Sequence, residues 1–214
     1  MSFVTVLIAA DAPWSRGWVA AILSVINTAI FLLTAVLRRD VSLVRLFIFS
    51  FTLGVVELIA DALCVRFTGT LDYSVAHSPL LGLSPWWMPL AWMMVSAQIG
   101  FLGAGLIERC GFGRGAALTA LVGAVGLPFY EQMAFRTHWW QYRDCRMVGH
   151  APVYVIVAEL LIGFCLGPLA LRALRGPALH GAFLAGLGGG VATIVGGLIG
   201  YGLIECVPQW LGIR

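Results

Sequence analysis

Residues 18–37 read WVAAILSVINTAIFLLTAVL, an uncharged stretch closed at once by Arg38 and Arg39. A helix rises about 1.5 Å per residue, so roughly 20 apolar residues cross the hydrocarbon core of a bilayer. The stretch therefore reads as a membrane span, and the rest of the chain repeats its pattern. Further spans are expected at about Leu46–Val65, Trp86–Ile107, Gly115–Phe135, Ala151–Leu171 and Leu179–Ile204. Six spans occupy roughly 125 residues by that length rule. In a chain of 214 residues this leaves short connections and no room for a soluble domain. The expected fold is all-α: one polytopic transmembrane helix bundle over residues 1–214.

Composition agrees. Apolar residues make up 60% and charged residues 11%, against roughly 45–50% and about 25% in soluble globular chains. An ordinary soluble enzyme and a disordered tail are both excluded. All basic residues are Arg, which rules out a lysine Schiff base, and the net charge of +3 is scattered, which speaks against nucleic acid. Five Cys without C-x-x-C spacing form no zinc-ribbon, redox or haem-attachment motif. No cofactor is expected. No basic region precedes an apolar stretch at the N-terminus, so the first span is expected to be retained rather than cleaved.

Arginines in short loops set orientation. Arg38, Arg39, Arg45, Arg109, Arg114, Arg172 and Arg175 fall on one side; Arg16, Arg66, Arg136, Arg143, Arg146 and Arg214 fall on the other. Seven against six places both termini outside the cell membrane. Cys64, Cys145 and Cys206 share that outer side, where a disulfide between two of them is open. Cys110 and Cys165 fall toward the inner side and read as free thiols.

Because spans alternate in direction, one face of the bundle collects the polar chemistry, including Glu57, Asp61, Tyr73, Trp87, Trp92, Trp139, Trp140, Arg146, His150, Tyr154 and Glu159. An acid near the bilayer centre costs about 2.5–3.5 kcal/mol on insertion scales, so Glu57 and Glu159 should face the bundle interior. Glu57 and Asp61 are four apart on one helical stripe. Two carboxylates so close in low dielectric do not both ionise cheaply, and a carboxyl that keeps its proton is a proton donor. Glu131 and Glu205, at span ends, read as solvated interfacial groups. The tryptophans read as an aromatic belt or as a cavity wall. A metal site from His138, His150 and Glu131 matches no known ligand spacing.

A shift of 67 residues aligns Gly82–Trp92 with Gly149–Glu159 as G-x-x-P-x-aromatic-x-x-x-A-[Trp/Glu]. This suggests a parallel two-helix repeat, spans two and three against spans four and five, with each proline near a helix start. Sites often lie at such repeat interfaces. Here the two copies present Trp92 and Glu159 at matching depth. Indole faces stabilise positive charge, so an acid facing an aromatic wall suits cation chemistry on an apolar substrate.

The stretch 56–92, VELIADALCVRFTGTLDYSVAHSPLLGLSPWWMPLAW, resembles the membrane proteins of carotenoid biosynthesis that include a carotenoid 1,2-hydratase. The matching residues are Glu57, Thr68-Gly69, Tyr73, Pro85 and Pro89-Leu90-Ala91-Trp92, followed by a Trp-rich loop at Trp139-Trp140 and a second Gly-x-x-Pro helix start at Gly149–Pro152. Small membrane-bound terpene cyclases are similar in size and logic. The resemblance implies an enzyme without a cofactor that protonates an isoprenoid double bond and adds water or closes a ring. Glu57 or Asp61 would be the proton donor, and Glu159 a second acid–base group or cation stabiliser. Trp87, Trp92, Trp139, Trp140, Tyr73 and Tyr154 would line the cavity, and Arg146 and His150 would orient polar groups at its mouth. Glu159 stands where the hydratases more often carry Trp. The paired Asp-rich motifs of prenyltransferases are absent, which argues against diphosphate chemistry. Two other readings stay open from the residues alone: a proton-coupled transporter using the intramembrane acids, and a structural subunit of a larger membrane complex, or a homo-oligomer, packing through the glycine-rich span Gly181–Gly202.

Overall fold

The computed structural model describes residues 17–176 and 178–210. Arg16 and Arg214, counted above for orientation, lie outside the described residues, as does the N-terminal stretch read for a leader. Six helices are long and apolar enough to cross a membrane. They are α1 (Gly17–Leu37), α2 (Val41–Ala62), α3 (Met88–Cys110), α4 (Phe112–Arg136), α5 (Val153–Arg175) and α6 (Leu179–Tyr201). A short α7 (Val207–Trp210) follows. Wider π-turns extend α2 through Leu63–Thr68 and α6 through Gly202–Cys206. The all-α bundle expected from hydropathy is thus observed.

Local chemistry sets several helix ends. Asp40 caps α2, its carboxylate accepting from the backbone N–H groups of Ser42 and Leu43, the usual way to satisfy orphan donors at a helix start. The extension of α2 stops at Gly69, whose φ of 69° favours glycine. Pro89 stands in the first turn of α3. Pro85 and Pro152 lie near their helix starts as expected, but each is paired in a hairpin, and Pro152 is also the N-cap of α5.

Close approach through small residues holds the bundle together. A Cβ on Gly54 of α2 would strike the Pro89 carbonyl of α3. One on Gly103 of α3 would sit 2.7 Å from the Gly167 Cα of α5 and from Thr119 of α4. Added carbons on Gly186 and Gly200 of α6 would strike the carbonyls of Phe49 on α2 and Tyr154 on α5. The glycine stripe of α6 is therefore largely spent inside the chain. Phe49, Leu53, Ile162 and Leu166 form one buried cluster beside it, and Trp87, Met88, Met133 and Trp139 form another beside α1.

Three two-stranded ribbons cover one end of the bundle. β1 (Leu71–Asp72) pairs antiparallel with β4 (Gln141–Tyr142), joining the loop after α2 to the loop after α4. β2 (Leu80–Leu81) pairs with β3 (Ser84–Pro85), and β5 (Met147–Val148) with β6 (Ala151–Pro152). The last two hairpins share one register at the 67-residue offset: Leu80↔Pro85 matches Met147↔Pro152, and Leu81↔Ser84 matches Val148↔Ala151. Their glycines match too, Gly82 at φ 67° and Gly149 at φ 63°.

Candidate functional site

Beneath the ribbons a cavity of about 310 Å³ lies between α3 and α4, floored by α2 and α5. Its lining holds three carboxyls from three helices: Asp61 on α2, Glu131 on α4 and Glu159 on α5. Each belongs to a buried residue. Aromatic side chains surround them: Trp92 from α3, Tyr130 from α4, and Tyr73, Trp140 and Tyr142 from the connecting loops.

The three acids differ in what they touch. Asp61 Oδ2 accepts two hydrogen bonds, from the Tyr73 hydroxyl at 2.6 Å and from the Ser84 hydroxyl at 2.9 Å. Glu131 Oε2 accepts one, from Trp140 Nε1 at 2.6 Å. Glu159 has none among the described residues. Gly123 of α4 makes room for Glu159, since a Cβ there would lie 3.6 Å from its Oε2. The loops aim these donors because β1–β4 pairing sets Tyr73 and Trp140 side by side, ring centroids 6.3 Å apart.

Outside the membrane segments the same surroundings act on loop groups. Burial, and then the Asp61 and Glu57 carboxyls, hold the Tyr73 hydroxyl well above the usual phenol range. Tyr142 is raised likewise, by burial and then Glu131. Both phenols remain O–H donors at neutral pH. For Asp72, partial burial works upward, but hydrogen bonds from Ser74 and Gln141 and the nearby Arg143 outweigh it and lower the carboxyl.

Of the residues singled out in the sequence, Asp61, Glu159, Tyr73, Trp92 and Trp140 line the cavity. Glu57 does not. It lies fully buried behind Asp61, within hydrogen-bonding reach of it, and its Oε2 has no partner among the described residues. Trp87 and Trp139 are 1% and 5% exposed and back the Trp140 ring rather than belting the interface. Tyr154 stands one layer out, its hydroxyl bonded to Thr70 Oγ1 at 2.7 Å and its ring edge-on to Tyr142. His150 stacks on Phe135 at a centroid distance of 3.6 Å and is outside the cavity lining. Arg146 is exposed, and its backbone N–H donates to Glu205 Oε1. Glu131 and Glu205 are buried, not solvated. All five cysteines are free thiols, so no disulfide joins Cys64, Cys145 or Cys206.

Glu131, Tyr130, Tyr142 and Gln98 also line the cavity, although none of them was among the expected site residues. Glu131 had a legible signal. Trp140 follows it by nine residues across the end of α4, close enough for the chain to fold back and cap it.

Residues 58–204 match the family described as "Domain of unknown function (DUF6989)". The match spans more than half of the chain, which therefore belongs to that family. Neither the curated proteins nor the solved structures contain a match.

Proposed function

We propose that this chain is an intramembrane enzyme of the cell membrane that starts a carbocation on an apolar isoprenoid-type polyene and ends the reaction by hydration or cyclisation. The observation that carries this reading is the ranking of three buried carboxyls, with two, one and no donated hydrogen bonds, around a single aromatic-walled cavity. Hydrogen bonds donated to a carboxylate favour its charged form, and an unassisted carboxyl in apolar surroundings favours its neutral form. Glu159 is accordingly the proton donor, and Asp61 the anion that stabilises a nearby cation and accepts the final proton.

The steps balance without an added reagent. Glu159 passes its proton to a terminal double bond, leaving a tertiary cation beside the faces of Trp92 and Trp140. Indole faces attract cations, more strongly once water is excluded. A water molecule then adds and loses a proton to Asp61, or an internal double bond attacks and the ring product loses that proton instead. The proton taken up at Asp61 returns to Glu159 through solvent, so the enzyme is unchanged. Glu57 supports Asp61 from behind rather than meeting substrate.

All three carboxyls line one cavity, which suits chemistry at a fixed point better than a transport path. Gly186, Gly189, Gly190, Gly196 and Gly200 of α6 are packed against α2 and α5, which weakens the main reason to read the chain as a subunit of a complex. The test is incubation of protein in nanodiscs with bacterial isoprenoid extracts in ²H₂O and H₂¹⁸O. Wild type should yield a product with one new C–²H bond, carrying ¹⁸O if hydrated. Glu159→Gln and Asp61→Asn should each lose that product. Full turnover in both variants overturns the assignment.

A further inference from the structure

Asp61 and Glu131 mark one end of the cavity, and Gln98 and Glu159 stand part-way along it, Glu159 Oε2 lying 3.6 Å from where a Cβ on Gly123 would be. From Asp61 and Glu131 it runs along one stripe of α3, Val95, Ile99 and Leu102, against Val122 and Gly126 of α4. Leu102 and Val122, at the far end, are 45% and 41% exposed on the lipid-facing surface. The fold explains the opening. α3 and α4 are joined by a tight turn at Gly111, φ 81°, and touch where a Cβ on Gly115 would sit 2.5 Å from Ile107. About one helical turn above Ile107 the cleft begins, at Leu102. Gly126 lines it with nothing within 4 Å of where a Cβ would stand. At about 310 Å³ the cavity is near the lower limit of ligand pockets. It holds one end of a long chain, not the whole.

We infer that the substrate enters sideways from the bilayer between α3 and α4, reactive end first, and reacts with its apolar tail still in lipid, along a passage that Gly126 keeps open. The ligand class is a single-chain apolar molecule with its reactive group at a terminus. A compact, water-soluble substrate would instead use the second pocket, on the aqueous face, where Asp72, His77 and Arg143 gather; Tyr73 is the residue common to the linings of both. The inference rests on the proposed function for what happens at the acids, but not for the route.

The experiment separates the two. Protein in nanodiscs is photolabelled with a geranylgeraniol analogue carrying a diazirine near its tail end, and the labelled peptides are mapped by mass spectrometry. Label is expected on α3 and α4 around Leu102 and Val122. Gly197→Leu, outside the cavity lining and facing open space, should label as wild type, while Gly126→Phe should label about tenfold less, equivalent to about 1.4 kcal/mol of binding. Val122→Trp narrows the same mouth from a lipid-facing position and serves if Gly126→Phe does not fold. Label concentrated at Ser74 and His77, or undiminished in folded Gly126→Phe and Val122→Trp, overturns the route. Labelling as expected without turnover of any isoprenoid upholds the route and defeats the chemistry.

Discussion

Asp61 is the group whose charge the proposed mechanism needs, and its two donors allow that charge to be tested. Tyr73→Phe removes the 2.6 Å bond and Ser84→Ala the 2.9 Å bond, both to the same oxygen. Both donors belong to buried residues, 7% and 1% exposed, so solvent does not replace the lost partner. A hydrogen bond to a charged group contributes about 1.5–3 kcal/mol and one between neutral groups about 1. Within a bilayer, inter-helical bonds measured by double-mutant cycles average nearer 0.6 kcal/mol, but these two tie loops to a helix at the covered end. Each single variant should therefore lose about 1.5–3 kcal/mol of stability. Because one oxygen accepts both bonds, loss of either strengthens the other and cushions each single variant, so the double variant should cost more than the sum by at least about 0.5 kcal/mol. The assay is reversible unfolding in mixed micelles, followed by tryptophan fluorescence. Single losses under about 1 kcal/mol with strict additivity would mean that Asp61 is a neutral, weakly bonded acid, and the division of roles between it and Glu159 would fail.

Three further outcomes follow from the geometry. Gly200→Leu and Gly186→Leu place side chains on the carbonyls of Tyr154 and Phe49 and should each cost about 1–3 kcal/mol or more, whereas Gly197→Leu, facing open space, should melt as wild type; thermal unfolding in detergent checks the contrast. The Asp72 carboxyl is lowered in the folded chain, so its contribution is complete above the ordinary carboxylate range and is lost as pH falls through the folded value. The protection factors of the β1–β4 ribbon amides, corrected for intrinsic exchange, should thus fall below about pH 4, and Asp72→Asn should leave them low at every pH. Burial, then Glu205, pushes the Cys145 thiol up to about 11. At pH 8 it should alkylate about a hundredfold more slowly than a thiol of ordinary pKa, which timed maleimide labelling with peptide mapping will show.

The spans were legible because each is a local property. An uncharged run stopped by Arg38-Arg39 needs only its own residues to be read, and the expected limits differ from the helices mainly where the chain hides a cap or a hairpin. Asp40 lengthens α2 at its start through two backbone bonds. Pro85 looks like a helix start because proline suits a first turn, yet Leu80 captures it in a hairpin that positive φ at Gly82 permits. The 67-residue spacing pointed to matching helix starts, and the two hairpins do share a register. That outcome depends on glycine and proline, the residues whose backbone limits show most directly in sequence.

The site was legible only as a list of residue types. Hydropathy places Glu57 and Asp61 on one stripe of α2, but it does not say which meets the cavity; the partner helices decide, and they leave Glu57 behind Asp61. Glu131 looked interfacial because it lies near the end of α4. It is buried because the loop after α4 folds back, held by a ribbon whose other strand lies about 70 residues earlier in the chain. Trp140 reaches Glu131, and Tyr73 reaches Asp61, through that single β1–β4 pairing. The proposed ranking of the acids therefore belongs to the loops, β1–β4 for Tyr73 and Trp140 and β2–β3 for Ser84, rather than to the helices that carry them. Substitutions that unpair Leu71 from Tyr142 should blur the difference between Asp61, Glu131 and Glu159 without touching any of the three.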